Sequence, residues 1–102
     1  MDVTFVDNRE SNRYEMRVEG ELVGVAAYDV DAGAISHVHT EVIDAYAGRG
    51  LTQRLVRHAL GDARERGLRV LPYCTFVAHV IRQNPDEFLD LVPDDQRVRF
   101  GL

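Results

Sequence analysis

Between residues 42 and 74 the chain changes its apolar period twice, and that change narrows the folds open to it. Up to residue 43 apolar side chains recur at alternate positions, the period of a strand. Tyr46-Ala47-Gly48-Arg49-Gly50-Leu51-Thr52 interrupts the pattern with two glycines. From Leu51 the period is that of a helix running to about Arg66: Leu51, Leu55, Ala59 and Ala63 repeat every four residues, flanked by Val56 and Leu60. Gln53, Arg54, Arg57, Asp62 and Glu65 fill the opposite face. Asp62 and Arg66 form an acid-first i,i+4 pair, and Gly67 stands where a helix C-cap glycine belongs. Residues 68–73 are then an apolar run of strand length. A strand, a helix and another strand in this order predict a βαβ unit with parallel strands and a right-handed crossover. Pro72 cannot donate to a ladder, so its strand is expected to be unpaired at that end.

The residues before this unit leave no room for a helix. Residues 3–6 are a short strand candidate, and 7–12 a polar loop. Residues 13–19 alternate, with Tyr14, Met16 and Val18 on one face and Arg13, Glu15, Arg17 and Glu19 on the other, as in a half-solvated antiparallel strand. Glu19-Gly20-Glu21 and Asp31-Ala32-Gly33 are turns around a strand over 22–30. The strand over 34–43 is expected to carry Ser36, Val38, Thr40 and Val42 on one face and Ile35, His37, His39 and Glu41 on the other. After Cys74, Thr75 is the expected cap of a short helix bearing Phe76, Val77, Val80 and Ile81. Asn84-Pro85-Asp86-Glu87 then carries the cap, first-turn proline and third-position glutamate of a helix start. That helix bears Phe88, Leu89, Leu91 and Val92 and stops before Pro93, leaving 94–102 as a last strand or a tail.

A chain of 102 residues suits one domain, residues 1–102. A single cysteine excludes an intramolecular disulfide and a cysteine zinc cage within one chain, and fits a reducing compartment. The net charge of −5, with both signs mixed, argues against a nucleic-acid partner. No apolar run approaches the roughly 20 residues that span a bilayer, and the N-terminus lacks the signature of a signal peptide. A cytoplasmic protein without a membrane partner is the expectation.

In sheets with parallel strands, ligands bind beyond the carboxyl ends of the strands. The loop of Gly48, Arg49, Gly50, Leu51 and Thr52 and the single Cys74 both fall at that edge. The amides of a helix start are a natural anion site, so the loop is a candidate phosphate cradle, with Arg49 able to add charge. Against this, Gly48-x-Gly50 is also an ordinary tight turn. A helix start favours a thiolate, which makes Cys74 a candidate nucleophile or proton donor, although a free cysteine more often behaves as a small buried apolar group. His37, His39 and Glu41 could present a general base or, with a third ligand, a metal pair; the spacing of such a ligand is not evident, so no metal is assigned. His79 and Arg82 share a helix face that could line the same cleft, and His58 falls on the solvated side of the long helix.

These residues resemble a known family. An antiparallel β-meander, a glycine-rich loop, a long helix, a splayed parallel strand and C-terminal helices resemble the GNAT N-acetyltransferase fold, an α/β fold. The loop is similar to its pyrophosphate signature in part: Gly50 matches the first glycine, while Ala47 and Thr52 replace the leading Gln/Arg and closing Gly/Ala. The fuller resemblance is to the small GNAT-like proteins of the YjdJ or NATD type. It rests on Arg13-Tyr14-Glu15, Gly24, His39-Thr40-x-Val42, Gly48-x-Gly50, Leu71-Pro72-x-Cys74-x-Phe76-Val77 and Asn84-Pro85-Asp86-Glu87-Phe88. The resemblance implies acetyl-CoA as co-substrate, its pantetheine arm along the 34–43 strand at Val42 and Ile43 and its pyrophosphate at residues 48–52. It implies Cys74 as the catalytic residue, whether acetylated itself or protonating the departing thiolate, and His39 as a proton acceptor. The implied activity is acetyl transfer to an amine on a protein or small molecule, and the rival is a non-catalytic CoA-binding or sensing module. Larger members carry two helices between their first two strands, where this chain has residues 7–12. An open acceptor site, suited to a bulky acceptor or completed by a second subunit of a homodimer, is therefore expected.

Overall fold

Glu19 and Gly20 take φ values of 49° and 83°, and Ala32 and Gly33 take 52° and 78°. Two successive positive φ values give the tight turn whose twist matches that of the strands it joins. These turns set the meander in the computed structural model, which describes residues 1–102. Strands β1 (Val3–Asn8), β2 (Arg13–Val18), β3 (Glu21–Asp31) and β4 (Ala34–Val42) pair antiparallel in chain order. After α1 (Leu51–Glu65), β5 (Arg69–Pro72) returns parallel to β4 and closes a five-stranded sheet in the order β1-β2-β3-β4-β5. Helices α2 (Thr75–Gln83) and α3 (Pro85–Phe88) follow. The meander, the βαβ unit and the boundaries of α1 match the expectation to within a residue or two.

One apolar core joins the sheet to both longer helices. Tyr14, Met16 and Val18 of β2 meet Leu51, Leu55 and Leu60 of α1, and Val77, Val80 and Ile81 of α2 extend the same cluster. The helices share one face of the sheet. The other face has no helical cover, and Val6, His39 and Glu41 are exposed on it. Arg13, Glu15 and Arg17 lie there too, but Glu15 is only 7% exposed. Asn8 and Arg13 bond its carboxylate and hold it below the usual carboxylate range, with Arg17 at 3.7 Å. The far end of α1 is fastened by polar groups. Tyr14 donates to Asp62, Tyr28 donates to Asp7, and Arg66 lies 3.6 Å from both carboxylates. His58 is not idle surface: its ring stacks on Phe5 with centroids 4.5 Å apart.

Four expectations need correction. First, β1 runs to Asn8, so only residues 9–12 form the turn. Second, β4 does not keep one face throughout. Ala27 pairs with His39 and Tyr28 with His37, which leaves Val38 as an extra, bulged residue. Ile35 and His37 therefore point to the helices, whereas His39 and Glu41 point to the uncovered face. Third, Cys74 rather than Thr75 is the residue before α2, and no side chain caps that helix. The Asn84 side chain does not cap α3 either: its amide donates to the Val80 carbonyl and its oxygen accepts from Arg57. Fourth, α3 ends at Phe88 and 3-10 turns occupy Leu89–Leu91, Asp94–Gln96 and Val98–Phe100, so the tail forms no strand. Arg97 donates to the Leu89 and Val92 carbonyls, and Phe100 meets Tyr73 edge-on at 5.0 Å.

Candidate functional site

The pairing of β4 with β5 ends at His37 opposite Pro72. The Cys74 amide makes the last link, donating to the His37 carbonyl at 2.7 Å. Pro72 is thus paired, not unpaired as its missing donor led one to expect; the strands part only beyond Cys74, and β4 from Val38 to Val42 has no strand on that side. Across β3 the Ile43 amide donates to the Val23 carbonyl at 2.9 Å. Ladder bonds alternate along an antiparallel strand, so the amides of Thr40 and Val42 face the gap. Val42 is thus placed to bond a chain laid in the gap, while the Ile43 amide is already committed.

Cys74 closes the narrow end of this gap. It is half-buried, and its sulfur lies 3.5 Å from the Thr40 hydroxyl. Sequence reasoning missed Thr40, because only the bulge at Val38 turns it toward Cys74 and no local pattern announces that bulge. His39, the neighbour of Thr40, projects to the opposite face, with its Nε2 3.4 Å from a Glu41 carboxylate oxygen. Cys74 and His39 therefore stand on either side of one strand. His37 does not join His39, so the two cannot share an ion. It is 1% exposed, neither ring nitrogen has a hydrogen-bond partner, and burial pushes its pKa down to about 4.

At the wide end of the gap the chain turns through Asp44–Tyr46 and enters α1. Gly48 and Gly50 take φ values of 77° and 74°, and neither has an atom within 4 Å of where a Cβ would stand. No amide from residue 48 to residue 53 has an acceptor within the chain; the first bond of α1 runs from the Arg54 amide to the Gly50 carbonyl. These amides are left without acceptors at a helix start, the arrangement that holds phosphate, with open space beside Gly48 and Gly50 and Leu51 itself buried. Arg49 does not point into that space alone: its guanidinium sits 5.3 Å above the Tyr46 ring. The other cationic candidates are elsewhere. Arg82 donates to the Gly101 carbonyl in the tail, and His79 is exposed beside Phe76.

Residues 13–91 match the family model described as GCN5-related N-acetyl-transferase. Among curated proteins, the chain is 38% identical to Protein NATD1 of Gallus gallus over 87 residues, covering 76% of this chain and 73% of that protein. Protein NATD1 of Mus musculus aligns over the same shares at 29% identity. For Protein NATD1 of Bos taurus the match is 40% over 47 residues and spans 42% of that protein's length. Among solved structures, a GCN5-like N-acetyltransferase candidate from Staphylococcus aureus superposes with a TM-score of 0.64 at 23% identity, over 90% of this chain and 87% of that one. The ribosomal-protein-S18-alanine N-acetyltransferase of Escherichia coli gives 0.55 at 16%, over 65% of this chain and 39% of that one. Both share the fold. No helix of this chain is long and apolar enough to cross a membrane.

Proposed function

The chain belongs to the GCN5-related N-acetyltransferase family, and from that premise we propose that it binds acetyl-CoA and transfers the acetyl group to an amine. The row of unaccepted amides from residue 48 to residue 53, opening on the same gap that Cys74 closes, carries this reading. Those amides would hold the pyrophosphate with the dipole of α1 behind them. Thr40 and Val42 would bond the pantetheine arm as a further strand would. At the narrow end the amides around the bulge would polarise the thioester carbonyl.

Three proton movements complete the transfer. His39, steadied by Glu41, takes a proton from the incoming ammonium, and the neutral nitrogen attacks the carbonyl. The new C–N bond replaces the C–S bond, and Cys74 gives its proton to the departing thiolate. The second proton of the acylated nitrogen restores the Cys74 thiol. Thr40, in contact with the sulfur, orients it.

A non-catalytic sensing module is the second reading, favoured by the uncovered sheet face. Calorimetry with acetyl-CoA tests both: absence of binding at millimolar ligand would sink them together. Release of free CoA thiol when amines are offered then separates them. Cys74→Ala is expected to lower turnover by about 100-fold or more, the usual worth of a general acid, with acetyl-CoA affinity nearly unchanged. Equal rates in the two proteins remove Cys74 from the mechanism, and binding without thiol release selects the sensor.

A further inference from the structure

A groove of about 270 Å³ lies on the uncovered face of the sheet, bordered by Glu41, the carboxylate that contacts His39. Its floor is apolar, built from Leu22 and Val25 of β3 with Ile43 at one side. Its two ends carry opposite charge. Glu41 stands at the β4 end, two residues along the same strand face from His39, and pairs with no arginine or lysine. Arg13 stands at the β2 end. Arg13 and Arg17 share the one carboxylate of Glu15, so this cluster keeps one net positive charge. By register Arg13 faces His39 across Ala27, while Glu41 faces Glu15 across Val25, so Arg13 and His39 stand two strand spacings apart, roughly 9 to 10 Å.

We infer that this groove is the acceptor site and that it selects a linear aliphatic amino acid: the amine that receives the acetyl group at Glu41 and His39, a free carboxylate at Arg13, and an apolar chain of lysine length between. The inference rests on the acetyl-transfer reading above and names its substrate class. A six-carbon chain places its nitrogen roughly 8 Å from its carboxyl carbon, from single bonds of about 1.5 Å in an extended zigzag, which suits the spacing of the two ends. A diamine would set its second ammonium against Arg13. A lysine within a peptide has an amide where the free amino acid has the carboxylate that a guanidinium grips.

The three probes are 6-aminohexanoate, hexylamine and 1,6-diaminohexane, which differ only in the far end of the chain. Thiol release should give 6-aminohexanoate the lowest KM, about fivefold below hexylamine, the upper range of one exposed ion pair, with the diamine highest. Arg13→Gln should remove that preference, Arg13→Lys should keep part of it, and Glu41→Gln should raise KM for all three. Equal KM values for the three amines, or an unchanged order in Arg13→Gln, would overturn the assignment while acetyl transfer stood. Nuclear magnetic resonance titration of the wild type with 6-aminohexanoate and no acetyl-CoA supplies a readout free of catalysis. Shifts confined to Arg13, Leu22, Val25, Glu41 and Ile43 would uphold the site even if no amine were turned over, a result that would sink only the enzyme reading. No shifts there and no turnover would sink both.

Discussion

His37 sits where β4 leaves β5, and it is the only buried histidine of the chain. Tyr28 lies opposite it on β3, with its own phenol pushed up to about 12 by burial and by the Asp7 carboxylate it bonds. Neither nitrogen of His37 has a partner, so burial disfavours the charged ring with nothing to offset it. The folded pKa near 4 lies below the ordinary value of 6.5, so the unfolded chain binds more protons between those limits. Stability should therefore fall as pH drops from about 6.5 to about 4, by on the order of 3 kcal/mol at the lower end, and this group should have no effect above that window. Urea unfolding of wild type and His37→Leu across pH 4 to 7 checks it, from the window set by the two pKa values. The variant should lose the slope and match or exceed the wild type at neutral pH, since an apolar side chain leaves no orphaned polar atoms. An unaltered slope would assign the acid sensitivity to the carboxylates. In the sequence this histidine looked like a companion of His39. A side-chain period of two has no way to signal the one-residue slip that separates them.

At the scale of elements, what was legible follows from how locally each was determined. The α1 stripe, the meander turns and the exit glycine at Gly67 are short-range patterns, and all stand in the structure. Asn84 misled for the opposite reason: its cap signature was local, but Arg57, 27 residues away, took its oxygen. The tail misled likewise, because alternation at Val98 and Phe100 said nothing of the carbonyls waiting for Arg97. The loop before α1 lies between these cases, with its glycines legible and the emptiness around them not. Gly50 precedes the helix with φ at 74°, and a Cβ there would enter the open space beside the free amides of the loop. Gly50→Val should cost about 1 to 2 kcal/mol of stability through the left-handed backbone, while α1 persists on its packing. Acetyl-CoA affinity should fall much further than that strain explains, by about tenfold or more, since an anion site at a helix start depends on close approach to backbone. Calorimetry of the variant beside its circular dichroism separates the two effects. Wild-type affinity in Gly50→Val would place the pyrophosphate away from this loop.

The molecule as a whole is one core with one unsupported edge. Tyr14 on β2 and Ile81 on α2 belong to the same apolar cluster, so the sheet and both helices are expected to unfold together. Yet β5 is held to β4 over only four paired residues, and past His37 nothing spans the gap. A ligand bonded to Thr40 and Val42 along the gap and to the start of α1 at its wide end would tie the free stretch of β4 to the helix that crosses the core. Ligand that binds only the folded chain stabilises it by about 2.7 kcal/mol at one hundred times its dissociation constant. For a chain of this size each kcal/mol raises Tm by roughly 4 to 8 °C, so saturating acetyl-CoA should raise it by about 10 °C or more. Because the core is continuous, the gain should appear in hydrogen exchange on β2 and β3, remote from the ligand, as well as around the gap. Protection confined to the loop and α1, with Tm unmoved, would mean that the gap edge opens independently of the core and that the sheet does not unfold as one unit.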